Sequence, residues 1–425
     1  MKALRTIILA AGKGTRMKSS VPKVLHCVCG RPLLHYVLEV AKAVGSLKTC
    51  VVLGYQHEAV RQYLPKDVVS VVQKKLLGTA DAVKAASVFL KEYRGDVLIL
   101  CGDTPLLTKE TVKKLIQKHH ASRAACTFLT AVVEEPLGYG RIIRGKAGTV
   151  LAIREHKDTT DVEKNIGEIN VGVYCFRYPE LLETLKAIKL NPRKKEFYLT
   201  DTIEILVERG HLVATVETPN AQEGLGINTR EDLAVSAAVV RQRILQRFMA
   251  DGVTIVDPAA TYIDADVKIG QDTTIHPFTV IENNIRIGKN CVIGPFARLR
   301  PGTKIANEAQ VGNFTEVSRT HLGKKTLLKH FAFLGDARVG AKVNIGAGVV
   351  TANYDGKNKN VTHIADGAFV GSDSILIAPV KVGKKAITGA GCVIKQGTVI
   401  PAQGIIVGVP GRILRKLRPR ASPWP

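Results

Sequence analysis

Long apolar runs are missing from this 425-residue chain. No stretch approaches the ~18 apolar residues that cross a bilayer, so no membrane insertion is expected. The opening "MKALRTIILAAGKG" imitates a secretory leader with Lys2 and Arg5, but Gly-Lys-Gly cuts its apolar core short. The expected location is cytoplasmic. Paired cysteines are missing too. Eight lie scattered between Cys27 and Cys392, with no CxxC pair and no histidine cluster. That argues against a zinc site or a disulfide framework and for buried thiols. Aromatic residues make up only 5%, and no nucleic-acid motif or stacking platform is present, so no nucleic-acid partner is expected. Acidic residues are outnumbered, 37 against 61 Lys and Arg, for a formal charge of +24. The surplus suits phosphates, nucleic acid or an anionic membrane surface, and charge alone does not choose among them.

What is present divides into two textures, in a chain long enough for two or three domains. From about residue 3 to 227, strand-type runs ("RTIILA", "TCVVLG", "VVSVVQ", "DVLILCGD", "ACTFLTAVV") alternate with helix-type runs ("LLHYVLEVAKAV", "GTADAVKAASVFL", "KETVKKLIQKHH"). This predicts a mostly parallel α/β sheet with helices on both faces and ligands at the carboxyl ends of its strands. "TREDLAVSAAVVRQRILQRFMADG" then reads as one connecting helix.

Beyond it, Ile263, Ile269, Ile275, Ile281, Ile287, Ile293, Leu299, Ile305, Val311 and Val317 follow at a strict spacing of six. The period slips and resumes at Phe333, Val339 and Ile345, and "TANYDGKNKNVTH" breaks it again like an ejected loop. A six-residue period predicts a β-helix with one short strand per hexapeptide, its aliphatic residue inward. The expected domains are 1–228, a linker helix 229–250, a β-helix 251–410 and a basic tail 411–425.

The opening "ILAAGKGTRM" puts a glycine-rich turn directly after the first strand. Glycines let backbone N–H groups approach a phosphate, and Lys13, Arg16 and Lys23 add charge. The residues alone leave an ordinary strand-end turn open, since neither a P-loop nor GxGxxG is completed. The longer phrase, with "PKVLH", "LLGTADAV", "LCGDTPLL", "GYGRI", "REHKD", "EINVG", "FYLTD" and "GINTR", resembles the sugar-1-phosphate nucleotidyltransferases. "GPFARLRPG", "VGNFTEV", "KHFAFLGDA", "VNIGAG", "NYDGKNK" and "VGSD" extend the resemblance through the hexapeptide half. Together they resemble the bifunctional N-acetylglucosamine-1-phosphate uridyltransferase/glucosamine-1-phosphate N-acetyltransferase family.

The resemblance implies a Rossmann-like nucleotidyltransferase domain and a left-handed β-helix that forms homotrimers. It implies UTP, acetyl-CoA and the two sugar phosphates as substrates. Leu9, Ala10, Ala11, Gly12 and Gly14 would line the nucleotide loop, and Arg16 and Lys23 would hold the triphosphate. Gln73, Gly78 and Thr79 would meet the uracil, and Gly140, Glu155 and Asn170 the sugar. Asp103 and Asn228 would hold Mg²⁺, which suits paired oxygen donors. In the β-helix, His330 would be the base that takes the amine proton, with Glu316 as its carboxylate partner. Arg300, Ser318, Phe333 and Asn344 would line the sugar-phosphate site. Asn353, Tyr354, Ser372 and Ala390 would meet acetyl-CoA, with "NYDGKNKN" reaching towards a neighbouring subunit.

The chain departs from the family at several points. Ala80 and Asp81 replace a glycine and a histidine, beside the uracil contacts rather than in them. Ser318 and Phe333 replace a lysine and a tyrosine. A lost cation beside a phosphate costs ~1–3 kcal/mol. Arg319 is a substitute that strand alternation would aim the other way. The β-helix is about one coil short ahead of "GPFARLRPG", and the tail, with Arg412, Arg415, Lys416, Arg418 and Arg420, does not match. The departures leave a second reading open: a nucleotidyltransferase whose β-helix is mainly a trimerisation scaffold.

Overall fold

The computed structural model describes residues 3–193 and 195–416. The tail residues Arg418 and Arg420 lie outside the described residues, as do the side chains of Arg415 and Lys416. Two compact units divide at Ala237/Ala238, inside the helix Arg230–Ala250. Thr229 and Asp232 start that helix by a reciprocal cap. The Asp232 carboxylate accepts from the Thr229 N–H, and the Thr229 hydroxyl accepts from the Asp232 N–H. Among the described residues no helix is long and apolar enough to cross a membrane.

The first unit contains β1 (Leu4–Ala10), β2 (Cys27–Val28), β3 (Arg31–Pro32), β4 (Lys48–Leu53), β5 (Val69–Val72) and β6 (Asp96–Cys101). It continues with β7 (Cys126–Val132), β8 (Arg141–Arg144), β9 (Val150–Arg154), β10 (Glu168–Arg177) and β11 (Val213–Glu217). Its large sheet runs β11-β7-β10-β6-β1-β4-β5. The five strand runs read from sequence form β1, β4, β5, β6 and β7. The expected parallel character holds for β6-β1-β4-β5, while β10 enters antiparallel between β6 and β7. Ile7, Ile8, Val51, Val52, Leu98 and Ile99 are buried on both faces of the sheet centre, as unbroken apolar runs require. The carboxyl ends of β1 and β6 are adjacent, since Leu9 pairs with Cys101. That places residues 11–16 beside residues 102–104.

The second unit is a parallel β-helix of three sheets. One begins Thr254–Ile255, the next Tyr262–Ile263 and the third Lys268–Ile269. They are termed the first, second and third sheets. Coils repeat every 18 residues, as Ile275 pairs with Ile293 and Ile293 with Val311. Ile275, Ile293, Val311, Leu299 and Val317 are all fully buried along the axis.

The slip in the period has a structural cause. Val311 pairs with Leu328 and Leu328 with Ile345, so two successive coils hold 17 residues each. The inward series then runs Val317, Leu322, Leu328, Leu334, Val339. Phe333 was expected inward. Instead Leu334 is fully buried and Phe333 turns outward, because the coils are one residue short between Val317 and Leu322 and again between Leu334 and Val339. The expected loop follows Ala352. Asp355 organises it, accepting from the N–H groups of Lys357 and Asn358 and from the Asn360 side chain. At the corner between the first and second sheets, Phe278, Phe296 and Phe314 stack at 4.8 and 5.0 Å, each roughly half exposed.

Leu334→Ala is expected to cost ~2–5 kcal/mol by denaturant unfolding, as a large-to-small change at a packed position. Phe333→Ala should cost much less. Equal losses would contradict the inward assignment.

Candidate active sites

In the first unit the glycine loop leaves its donors free. The N–H groups of Gly12, Lys13 and Gly14 find no acceptor among the described residues. Gly14 sits in the left-handed region (φ 62°), and a Cβ there would come within 2.7 Å of the Lys23 side chain. Glycine is therefore required both by backbone and by close approach. The sequence reading expected such a cradle.

Beside the loop, Lys23 pairs with Asp103 and also donates to Asn228 Oδ1 at 2.8 Å. Arg16 Nη2 donates to the same oxygen at 2.8 Å. The four residues come together from three segments that are distant in sequence. Asp103 follows β6, and Asn228 is fixed by its own N–H donating to Asp232 and its Nδ2 donating to the Gly226 carbonyl. The Asp103 and Asn228 oxygens converge on one cationic head. This donor pair fits a small divalent cation whose remaining ligands are phosphate and water. Among the described residues no group of three or more His, Cys, Asp or Glu gathers elsewhere.

A cavity of about 550 Å³ opens at these strand ends. Of the residues expected at a nucleotide-sugar site, Leu9, Ala11, Gly12, Gln73, Gly78, Thr79, Asp103 and Glu155 line it. Ala10 does not; it is buried at the end of β1. Cys101, Glu196 and Tyr198 also line it and went unread, because nothing in their spacing marks them. Burial pushes the Cys101 thiol up to about 12, so it serves as a neutral wall and not as a nucleophile.

Gln73 is held more firmly than expected. Its amide NH₂ donates to Asp81 Oδ2 at 2.8 Å and to the Gly78 carbonyl at 3.1 Å, leaving Oε1 for a ligand. Asp81 was read as standing beside the uracil contacts, but it bonds one of them directly. Thr79 Oγ1 accepts from the Leu199 N–H and keeps its own proton to donate. Gly140 and Asn170 are neighbours, the Asn170 N–H donating to the Gly140 carbonyl, yet neither lines the cavity. The Asn170 side chain is spent locally, donating to the Tyr174 hydroxyl and accepting from the Gly172 N–H.

Acids crowd around Glu155. Burial raises Glu155 above the usual carboxylate range, opposed by a hydrogen bond from Thr200 at 2.8 Å. Burial, with the charges of Glu155 and Glu204, raises Asp201 to about 6.

In the β-helix the expected residues fall on two sides. Arg300, Glu316, Phe333 and Asn353 lie in or next to strands of the second sheet, with His330 at the preceding corner. Asn344 lies in the first sheet, and exposed Ser372 and Ala390 follow successive strands of it at one corner. Tyr354 stands 62% exposed in the ejected loop.

Two expectations need correction. Glu316 does not orient His330: its Oε1 accepts from Arg300 Nη1 at 2.8 Å, and the exposed His330 ring has no hydrogen-bond partner among the described residues. Arg300 and Glu316 lie close enough to neutralise each other, which wins in the single chain. Arg319, in turn, does not point away. Its φ of +49° ends strand alternation, and its Nη1 folds back onto Ser318 Oγ at 2.8 Å. The other guanidinium nitrogens pair with Asp336, whose carboxyl they hold below its ordinary range. Asp336 also accepts from Asn353. Ser318 itself is 1% exposed beneath this group. Restoring a lysine there would displace Arg319 and not simply add a cation.

A family description, nucleotidyl transferase, matches residues 5–222, and a bacterial transferase hexapeptide description (six repeats) matches 266–301 and 284–319. A curated protein from Geobacillus sp. (strain WCH70), "Bifunctional protein GlmU", is 44% identical over 421 residues, covering 91% of this chain and 92% of its own length. The protein of that name from Bacillus subtilis (strain 168) is 41% identical over 434 residues, covering 94% and 95%. Among solved structures, a putative glucose-1-phosphate thymidylyltransferase from Bacillus anthracis aligns with a TM-score of 0.48 at 19% identity. It covers 56% of this chain and 96% of its own.

Asp201 gives a pH test. Its folded pKa of about 6 lies above the ordinary 3.8, so the folded state holds a proton that the unfolded state releases. Stability is therefore greater below that range and is lost as pH rises through about 6. Asp201→Asn should flatten the fall in melting temperature between about pH 4 and pH 6. Parallel wild-type and variant profiles would refute the raised pKa.

Proposed function

The chain belongs to the family of bifunctional GlmU proteins, and from that membership we propose that it makes UDP-N-acetylglucosamine in two steps at two sites. The β-helix transfers acetyl from acetyl-CoA to glucosamine-1-phosphate. The first unit then transfers uridyl from UTP to N-acetylglucosamine-1-phosphate. One observation carries the reading: unbonded loop amides, Arg16 and Lys23 converge with Asp103 and Asn228 at the mouth of one cavity.

In the uridyl step a phosphate oxygen of the sugar forms a bond to the α-phosphorus. The bond from that phosphorus to the β-phosphate oxygen breaks, and pyrophosphate leaves. The protein's contribution is alignment and charge neutralisation. The amides of Gly12 and Gly14 bind phosphate oxygens, and Lys23 and Arg16 offset the charge of the departing pyrophosphate. Gln73 Oε1 accepts from the uracil edge, with Asp81 holding the amide in that orientation. Glu155 accepts from a sugar hydroxyl or amide, with Gly140 and Asn170 alongside. Asp103 and Asn228 would hold Mg²⁺, which supplies further charge stabilisation to the phosphates.

In the acetyl step the amine nitrogen attacks the thioester carbonyl, His330 takes the amine proton, and the coenzyme A thiolate leaves. Buried Cys291 and Cys392 form no acyl-enzyme, since neither sulfur is exposed. Arg300 and Arg319 bind the sugar phosphate, Arg319 standing in for the cation that Ser318 lacks. Asn344, Asn353 and Tyr354 meet the sugar and acetyl groups, and Ser372 and Ala390 meet coenzyme A. A homotrimer in the cytoplasm fits this arrangement. A neighbouring copy would cover the exposed Phe278, Phe296 and Phe314 column and bring the two sides of the site together. A single-chain mass of 46.0 kDa in solution would count against it.

A second reading has its own support: His330 is exposed and unpartnered, and Phe333 offers no hydroxyl. Under it the β-helix assembles the protein and transfers no acetyl group. Mass detection of N-acetylglucosamine-1-phosphate from glucosamine-1-phosphate and acetyl-CoA separates the two.

Asp103→Ala is expected to abolish uridyl transfer and leave acetyl transfer intact, and His330→Ala to do the reverse. Loss of both activities from a folded variant would defeat the two-site model. Arg319→Ala should raise the KM for glucosamine-1-phosphate roughly tenfold, the loss of one charge-assisted contact, while uridyl transfer is unchanged. Partial rescue by Arg319→Lys is expected. An unaltered KM would remove Arg319 from the site.

A further inference from the structure

The outward positions of the three β-helix sheets differ sharply in charge. Along the first sheet they read Thr274, Val292, Gln310, Leu327, Asn344 and Phe369, with no cation. Along the second, Arg298 pairs with Glu282, and the adjacent Arg300 pairs with Glu316. The third sheet is different. Lys268 pairs in register with Arg286, and Arg286 with Lys304. Lys304 continues to His321, then Arg338, His363 and Lys381. Seven successive rungs therefore carry a basic side chain at one position, over about 29 Å at ordinary strand spacing.

Among the described residues nothing neutralises this column. None of its seven side chains forms an ion pair with an acid among the described residues. Arg338 donates only to the carbonyls of Arg319 and Ala337. Burial and the charges of Arg338 and Lys304 hold His321 below its ordinary range. Like charges on neighbouring rungs repel, so the column costs the fold stability. Two shallow grooves, of about 700 and 520 Å³, meet at His321 and run along the column over Gly288, Ala306, Gly340 and Ala365. Lys324 borders them from the next corner.

We propose that this third face is a docking surface for an anionic lipid bilayer, engaged through phosphate headgroups and without insertion. The chemistry matches in three ways. The face exposes a lysine, arginine or histidine on every one of these rungs except the half-buried His321. Apart from Val399, on the rung beyond Lys381, no described outward position of this sheet carries an apolar side chain that would enter the hydrocarbon. It also has no aromatic residue on which the bases of a single strand could stack. A nucleic-acid duplex winds away from a straight column within about one turn, whereas a planar array of headgroups meets every rung. None of the residues assigned to acetyl transfer lies on a third-sheet strand, so docking and catalysis use different faces.

The test is co-sedimentation of the full chain with vesicles of phosphatidylcholine alone or of equimolar phosphatidylcholine and phosphatidylglycerol. Wild type should bind only the anionic vesicles and be released in ~1 M salt, where the screening length is about 3 Å. Lys304→Glu, Arg338→Glu and Lys381→Glu together should weaken binding about tenfold or more, since each cation near an anionic surface contributes separately. Lys91→Glu, Lys118→Glu and Lys189→Glu make the same change in net charge on exposed residues of the other unit and should leave binding nearly intact. If the two triple variants bind equally, the face has no special role and the proposal fails. It also fails if wild type ignores anionic vesicles, or binds a DNA duplex more tightly than it binds them. Should the Glu triple melt early, the triple Lys304→Gln, Arg338→Gln and Lys381→Gln takes its place under the same criteria.

Discussion

The β-helix interior admits one aliphatic or small side chain per strand, and most of the second unit follows from that limit. Three strands close each coil, and each hydrogen-bonds to the coil before and after. Once Ile275, Ile293 and Val311 stack on the axis, every outward residue has a fixed neighbour 17 or 18 positions away, or 25 across the ejected loop. Columns of outward side chains are therefore inherited from the count and not chosen pair by pair. One-residue deletions between Val317 and Leu322 and between Leu334 and Val339 disturb this count where the acetyl-transfer candidates cluster, the first of them at Arg319. The shortened corner holds Arg319 in the left-handed region, and its guanidinium returns to the side that alternation would deny it. A local backbone cost of this kind persists where the surroundings fix it, here through Asp336 and Asn353.

The first unit solves a different problem with the same economy. A strand end exposes unbonded N–H groups, and β1 adds glycines so that a phosphate can reach them. The cations that complete the cradle come from residues 16 and 23. They are held in place by oxygens from residues 103 and 228, which are themselves suited to a divalent ion. In the single chain these groups satisfy one another, Lys23 pairing with Asp103 and Arg16 donating to Asn228. A triphosphate with its counter-ion would exchange these contacts for its own, so the site is assembled before its ligand arrives.

Much of this was legible in the sequence, and the gaps have physical reasons. The period of six gave the β-helix, its ejected loop and the place of its slip, because inward packing leaves a regular signature. Apolar runs gave β1, β4, β5, β6 and β7. The antiparallel entry of β10 left no signature, since strand direction depends on long-range pairing. Phe333 was misplaced because a one-residue deletion moves the frame without changing composition. The partners of Gln73 and Glu316 were misjudged for a related reason. Which polar group a side chain chooses depends on the nearest competitor in space, and Asp81 and Arg300 were the nearer.

The division of charge among the three β-helix faces ties the second unit together. Two faces present neutral or internally paired side chains, and they carry the residues assigned to acetyl transfer and the exposed phenylalanine column. Such faces can approach another copy at little desolvation cost, because few unpaired charges must leave water. The third face could not be buried in that way without stranding its lysines and arginines. A chain that keeps them aligned, unpaired and repelling one another on the one face unsuited to subunit contact has left that face for a partner that brings the opposite charge.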